Sequence, residues 1–346
     1  MSTSVLELTP AAQDQIPSKK TVLSGIQSTG ILHIGNYVGA LSLWAANQSQ
    51  YNNLFMVANL HTLTVPEAVN PAELKRKSRE VAALYIACGI DPDQSVIFLQ
   101  SDVPAHTYLA WILGCCTPVG WLERMTQYKV KAAAQETVGS GLLNYPTLQA
   151  ADILIYKAHY VPVGDDQNQH LEITRDVAQR FNHLFGEYFP LPETLNRRSG
   201  ARIMGLDDPT QKMSKSIAAK KQGHAIALLD SPNVIKKAIM GAVTDAGGEI
   251  RFATASPGVK NLLVMYEVLS GESQTAIEAR FAGKGYGALK KELVDLVVTT
   301  LKPIQEKFQA LMDDEHELDK LLNDGAAKAS VIANQTVADV RQLVGV

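Results

Sequence analysis

The sequence has few cysteines, little net charge and no long apolar run. Its three cysteines, Cys88, Cys115 and Cys116, form no Cys-x-x-Cys pair and have no histidine pair nearby at zinc spacing. That argues against a disulfide framework and a zinc site, and all three thiols are expected to be buried as small hydrophobes. A net charge of −3 creates no whole-molecule field that would draw in nucleic acid, so a polyanion must be met by a local patch. The candidate is 194–221, where Arg197, Arg198, Arg202, Lys212, Lys215, Lys220 and Lys221 outnumber Asp207 and Asp208. The most apolar stretch, 108–122, is too short to span a membrane and is broken by Pro118. Residues 1–18 hold Glu7 and Asp14, no lysine or arginine and no apolar core segment. They read as a flexible leader, neither secretion signal nor transit peptide. The expectation is a cytoplasmic protein with no membrane and no DNA partner.

What is present is an ordinary globular composition, 46% apolar and 19% charged, over 346 residues. Such a length suits two domains, or one large α/β domain with an appendage. Val22-Leu23 runs into Ser24-Gly25 and a helical pattern opens near Gly35. Strand-like segments follow at 53–60 and 95–100, separated by a helix over 71–88 whose apolar positions include Leu74, Val81, Leu84 and Tyr85. This alternation predicts a Rossmann-like parallel sheet with right-handed crossovers. A helical insertion of three segments occupies about 105–158, then come a short strand at 161–164 and a helix over 166–185 with Leu171, Val177, Ala178 and Phe181 on its apolar face. Residues 202–204 read as a fifth strand. From 225 the period is helical throughout, at 232–242, 260–269, 286–311 and 314–344. The expected organisation is a leader at 1–18, an α/β catalytic domain at 19–206, a loop at 207–224 and an all-helical domain at 225–346. Whether the last helix folds back on the sheet is open.

Two motifs carry chemistry. Strand, glycine-containing loop and helix at 21–41 suit phosphate at a helix N-terminus, with His33 and Asn36 able to add donors. The same residues suit a plain cap and turn, and the spacing is neither Gly-x-Gly-x-x-Gly nor a P-loop. His33-Ile34-Gly35-Asn36 resembles the His-Ile-Gly-His motif of class I aminoacyl-tRNA synthetases, and Lys212-Met213-Ser214-Lys215-Ser216 matches that class's second motif at all five positions. Five identities arise by chance in roughly one chain in ten thousand. Ser24-Gly-Ile-Gln27 before the first motif and Tyr37-x-Gly-Ala40 after it narrow the match. The chain resembles the tryptophanyl-tRNA synthetase family over nearly all its length beyond residue 20.

The resemblance implies that Gln27, Ser28, Thr29, Gly35 and Asn36 cradle ATP, with His33 as a further donor. Lys212 and Lys215, with Met213, Ser214 and Ser216, would screen departing pyrophosphate from a mobile loop, a task suited to compact charges on flexible stems. Ile203 would meet adenine. Lys129 and Lys131 match positions that reach the phosphates in relatives, although a solvated helix face explains them almost as well. Gly164, Asp165 and Asp166 would serve the ribose, and Mg²⁺ would accompany the ATP, with no metal-ligating residues assigned. An acidic residue often follows the second motif in the family; here Ile217 stands there, which puts the anchoring of the loop in question.

An indole offers a single polar atom, an N–H donor, so a pocket that selects it needs a buried acceptor. Asp152 on an apolar helix fits that need, and the resemblance gives it the indole N–H. Tyr145 and Gln167 would hold the α-ammonium, and His61, Val161 and Val163 would line the ring. Leu23 and Gln149 replace an aromatic and a methionine common in relatives. A phenol also needs an acceptor, so Asp152 alone does not separate tryptophan from tyrosine. A tyrosine enzyme and a small-molecule adenylyltransferase stand as alternatives. The family further implies tRNA(Trp) as partner, anticodon contacts in the helical domain, and a homodimer.

Overall fold

The structure is a computed structural model that describes residues 19–28, 32–162, 168–195, 202–214, 217, 221 and 223–346. Its strands are β1 (Thr21–Ile26), β2 (Asn52–Val57), β3 (Ser95–Leu99), β4 (Tyr160–Val161) and β5 (Glu193–Thr194). They form one parallel sheet in the order β3-β2-β1-β4-β5, so the chain reverses its winding between β1 and β4. β2 is buried on both sides: Phe55 and Val57 enter one core while Leu54 and Met56 enter the other. That two-sided burial is why its sequence reads as a continuous apolar run.

The helices are α1 (Ile34–Asn36), α2 (Ser42–Asn47), α3 (Pro71–Ala87), α4 (Ala105–Cys116), α5 (Val119–Glu123), α6 (Thr126–Ala132), α7 (Ser140–Leu154), α8 (Asn168–Phe185), α9 (Pro232–Met240), α10 (Pro257–Ser270), α11 (Gln274–Arg280), α12 (Tyr286–Asp313) and α13 (Glu315–Val344). A π turn, Tyr37–Leu41, joins α1 to α2. Asn70 accepts from Glu73 N and Pro71 opens the first turn, which together start α3. On α8 the anticipated face of Leu171, Val177, Ala178 and Phe181 is buried.

Several expectations change. The insertion holds four helices, α4 to α7, where three segments were expected. The fifth strand is Glu193–Thr194 and not 202–204: Met204 makes an isolated antiparallel bridge with Lys212, outside the sheet. Its apolar character serves a different contact, described below. The seven-residue α11 escaped notice because its span is too short for a helical period to register. Cys88 and Cys116 are buried as expected, but Cys115 is exposed, because it falls on the outer face of α4. No helix among the described residues is long and apolar enough to cross a membrane.

The last helix does return to the sheet. β3 is an edge strand, and an uncovered edge is a template for unwanted pairing. α13 lies along it, sending Leu318 and Leu322 into one core and Ala326, Ala329, Ala333 and Val340 into the other. Arg79 of α3 pairs with Glu315, at 2.8 Å, and with Asp319 at the start of α13. Gly325 makes the approach possible, since a Cβ there would overlap the Ile97 carbonyl of β3. Gly325→Ala is therefore expected to destabilise the protein by about 1–3 kcal/mol, the usual range for overpacking. Urea denaturation followed by circular dichroism measures this, and an unchanged midpoint means α13 is not seated on β3.

Candidate active site

The site lies beyond the carboxyl ends of the strands, at the reversal between β1 and β4, where open parallel sheets bind ligands. β1 leads to Gln27, exposed, and Ser28, buried with its hydroxyl 3.2 Å from that of Thr62. His33 is buried, and its amide donates to Asn36 Oδ1 at 3.0 Å, which ties the start of α1. This first segment does not stand alone. Ile34 N donates to Ile226 O at 2.9 Å, Leu228 N donates to Leu32 O at 2.9 Å, and His33 bridges Ala227 in antiparallel fashion.

The second segment closes on the same place. A Cβ on Gly35 would lie 3.6 Å from Ile203 Cβ, so these two expected adenine neighbours face each other. Ile203 O accepts from Met213 N at 3.1 Å, and Met204 bridges Lys212. Asn261 of α10 clasps Met204 from the other side, accepting its N–H at 2.8 Å and donating to its carbonyl at 2.9 Å. The apolar Ile203-Met204 pair thus acts as a dock for the second motif. Met213 is buried, Ser214 half-buried and Lys212 exposed. Lys215, Ser216, Thr29, Val163, Gly164, Asp165, Asp166 and Gln167 lie outside the described residues, as do Arg197, Arg198 and Lys220 of the basic patch. Lys221 of that patch is paired with Asp207 at 2.6 Å. Lys129 and Lys131 ride on α6, the first exposed and the second half-buried, and neither forms an ion pair among the described residues.

Asp152 on α7 is only 2% exposed and is held by three elements. Oδ1 accepts from His106 Nδ1 at 2.6 Å and Gln100 Nε2 at 2.8 Å; Oδ2 accepts from Gln100 Nε2 and from His61 Nε2, each at 2.9 Å. His106 Nε2 lies 2.7 Å from the Tyr156 hydroxyl. Burial raises the Asp152 pKa, but the hydrogen bonds from His106 and His61 outweigh it and hold the carboxyl at about 2. An ionised carboxylate only accepts, so both histidines turn an N–H toward it and Tyr156 donates to the remaining nitrogen of His106. Burial pushes the Tyr156 phenol up, which keeps that donor protonated.

Around this carboxylate, Tyr145 sets its ring edge-on to His61 with centroids 6.4 Å apart. Its hydroxyl lies 2.8 Å from His170 Nε2, and burial pushes its phenol up to about 12. Leu23 and Val161 are buried in the core beside α7, and Gln149 is half-buried one turn before Asp152. His61 thus does more than line a ring, since it binds the acceptor itself. Gln100, His106 and Tyr156 were not anticipated. Their one signal is that His106 and Tyr156 fall within or beside apolar helical runs, where a polar group needs a partner.

Residues 17–302 match the model of the tRNA synthetases class I (W and Y). A tryptophan–tRNA ligase of Gloeobacter violaceus is 49% identical over 96% of this chain and 98% of its own length. One from Helicobacter pylori is 49% identical over 94% of this chain and 99% of its own. Among solved structures, tryptophanyl-tRNA synthetase from Mycoplasma pneumoniae superposes with a TM-score of 0.84 at 36% identity, over 95% of this chain and 98% of that one. The Campylobacter jejuni enzyme, solved with ADP and tryptophan, gives 0.82 at 36% identity over 94% of this chain and all of its own. The chain belongs to the class I tRNA synthetases of the tryptophan and tyrosine family, and within it to the tryptophanyl-tRNA synthetases.

The buried relay has a measurable consequence. Tyr156→Phe leaves His106 Nε2 without its donor in a fully buried place, which costs about 1–3 kcal/mol. Urea denaturation should show that loss with the fold retained; no loss would mean the hydroxyl does not support the relay.

Proposed function

We propose that the chain activates L-tryptophan with ATP and then transfers it to tRNA(Trp). The observation that carries this is the meeting of two motifs far apart in sequence, with Gly35 facing Ile203 and Lys212 bridged to Met204. A tryptophan carboxylate oxygen attacks the α-phosphorus, the bond to the β-phosphate breaks, and pyrophosphate leaves with the electron pair. Both reactants are anions, so the protein's contribution is alignment and charge screening. Gly35 and Ile203 provide a flat apolar seat for the base. Lys212, joined by Lys215, meets the leaving pyrophosphate. In the second step a terminal tRNA hydroxyl attacks the adenylate carbonyl and AMP departs. Mg²⁺ is expected to travel with the triphosphate. Among the described residues no group of three or more His, Cys, Asp and Glu side chains is placed to hold a metal, so no step is assigned to a protein-bound ion.

Asp152 is the proposed acceptor for the indole N–H. Both its oxygens are already engaged, so the indole would take the place of His61 or of one Gln100 contact, and His106 would keep the carboxylate aimed. The exchange of one donor for another keeps the buried charge solvated at every stage. Tyr145 and Gln167 are proposed for the α-ammonium. A phenol is also a donor, so the acceptor alone does not separate tryptophan from tyrosine; membership of the tryptophanyl-tRNA synthetases does.

Residues 225–346 are proposed as the helical domain that meets the anticodon, and the cytoplasm as the compartment, in keeping with three free thiols. A homodimer is proposed as well. Tyr108 and Trp111, one turn apart on α4, are 44% and 75% exposed, a pair of large apolar side chains that a second copy would cover.

Pyrophosphate exchange into ATP tests the reading directly. It should depend on tryptophan, and exchange with tyrosine but not tryptophan would overturn it. Asp152→Asn should raise the tryptophan KM at least about tenfold with little change for ATP, because the amide loses the charge and turns an NH2 donor against the donors around it; equal weakening of both removes the indole role. Trp111→Glu should convert a sedimenting dimer to monomer, and a monomeric wild type would dispose of that interface.

A further inference from the structure

The second motif here lacks the acidic residue that often follows it, yet its base is firmly tied. Leu206 N donates to His224 O at 3.0 Å, and Gly205 N donates to Gln211 O at 2.8 Å, so both ends of the segment meet at one neck. The His224 ring fills that neck and is 1% exposed. Its Nδ1 lies 2.6 Å from Asp207 Oδ1, and its Nε2 reaches the Lys212 carbonyl at 3.4 Å. Asp207 Oδ2 also receives Lys221 at 2.6 Å. Burial works to raise the Asp207 carboxyl, but Lys221 and His224 prevail and keep it below the usual range. Gly205 leaves room for the ring, since a Cβ there would come to 2.7 Å from His224 Nδ1 and 2.9 Å from Asp208 O.

We propose that Asp207 and His224 are positioning residues for Lys212, a clamp that fixes the backbone from which that lysine reaches the ATP phosphates. The inference rests on the function proposed above, in which Lys212 screens pyrophosphate. A side chain on a long stem is only as well aimed as its own Cα, and a preorganised charge is worth more than one that must be ordered during the step. Asp207 holds the ring, the ring holds the Lys212 carbonyl, and the Met204–Lys212 bridge fixes the other side. Lys221 adds a cation to the same carboxylate from the far end of the segment. With Ile217 directly after the motif, the anchor is drawn from Asp207 before it and His224 after it.

The test is tryptophan-dependent pyrophosphate exchange in the full-length enzyme, with tryptophan binding measured separately by equilibrium dialysis. His224→Ala and Asp207→Asn should each lower kcat for exchange about tenfold or more, or raise the ATP KM, while the tryptophan Kd stays within about twofold. His224→Gln, which keeps a donor for Asp207, should recover part of the loss. Asp207→Asn and His224→Ala act through the same ring, so combining them should add little beyond either alone. Additive losses, or losses confined to the fraction of active enzyme with unchanged kinetic constants in that fraction, would overturn the proposal. Should His224→Ala fail to fold, Asp207→Asn and His224→Gln still decide it. Wild-type enzyme without tryptophan-dependent exchange would refute the function itself, whereas active wild type with unaffected variants refutes only the clamp.

Discussion

A buried carboxylate organises one half of this molecule. Moving an ion out of water costs several kcal/mol even after relaxation, and the cost is met only by donors arriving with good geometry. Asp152 draws those donors from three separate places: His61 after β2, Gln100 after β3 and His106 at the start of α4. The ends of two strands and the first helix of the insertion are therefore held in register by a single charge. With Tyr156 behind His106, the chain of bonds reaches back into the helix region that bears Asp152. The direction of this acceptor is thereby settled by the protein itself, before any ligand arrives.

The other half is organised by backbone rather than charge. Short antiparallel contacts join 32–34 to 226–228 and 203–204 to 212–213, and Asn261 secures the second pair from α10. None of these belongs to the sheet. They are the means by which a segment far along the chain is brought back over the end of β1. A backbone seam of this kind tolerates change in side chains, but the close approaches need small residues at Gly35 and Gly205. The lysine segment is thus carried on a frame whose rigidity comes from main-chain bonds, while the Lys212 side chain is left exposed.

These two modes of assembly explain what could be read in advance. β1 to β3 and the long helices are legible because burial imposes a period on their residues, and α8 shows the predicted face. The two motifs were legible as identities, and Asp152 because a carboxylate among alanines and leucines needs a purpose. β5 was not legible: Glu193–Thr194 is a two-residue edge with no apolar alternation, and the more strand-like Ile203-Met204 was read in its place. That pair is apolar because it docks the second motif. The partners of Asp152 were missed since they come together only in three dimensions. Ile217 offers no charge after the second motif; the nearby ion pair lies ten residues before it, at Asp207, and seven after, at His224.

The return of α13 to the sheet links these halves. The helix covers the edge of the strand whose end supplies Gln100, and it does so at Gly325, against Ile97. Arg79 fastens the same helix to α3, which packs behind β2 and β3. Helices that begin far downstream of the lysine segment therefore share apolar cores with the strands that carry the site. Because packed interiors are dense and deform little, a displacement of the helical half is felt by those strands. The helical half and the strand ends are coupled through one packed body, and the edge strand β3 is where the two meet.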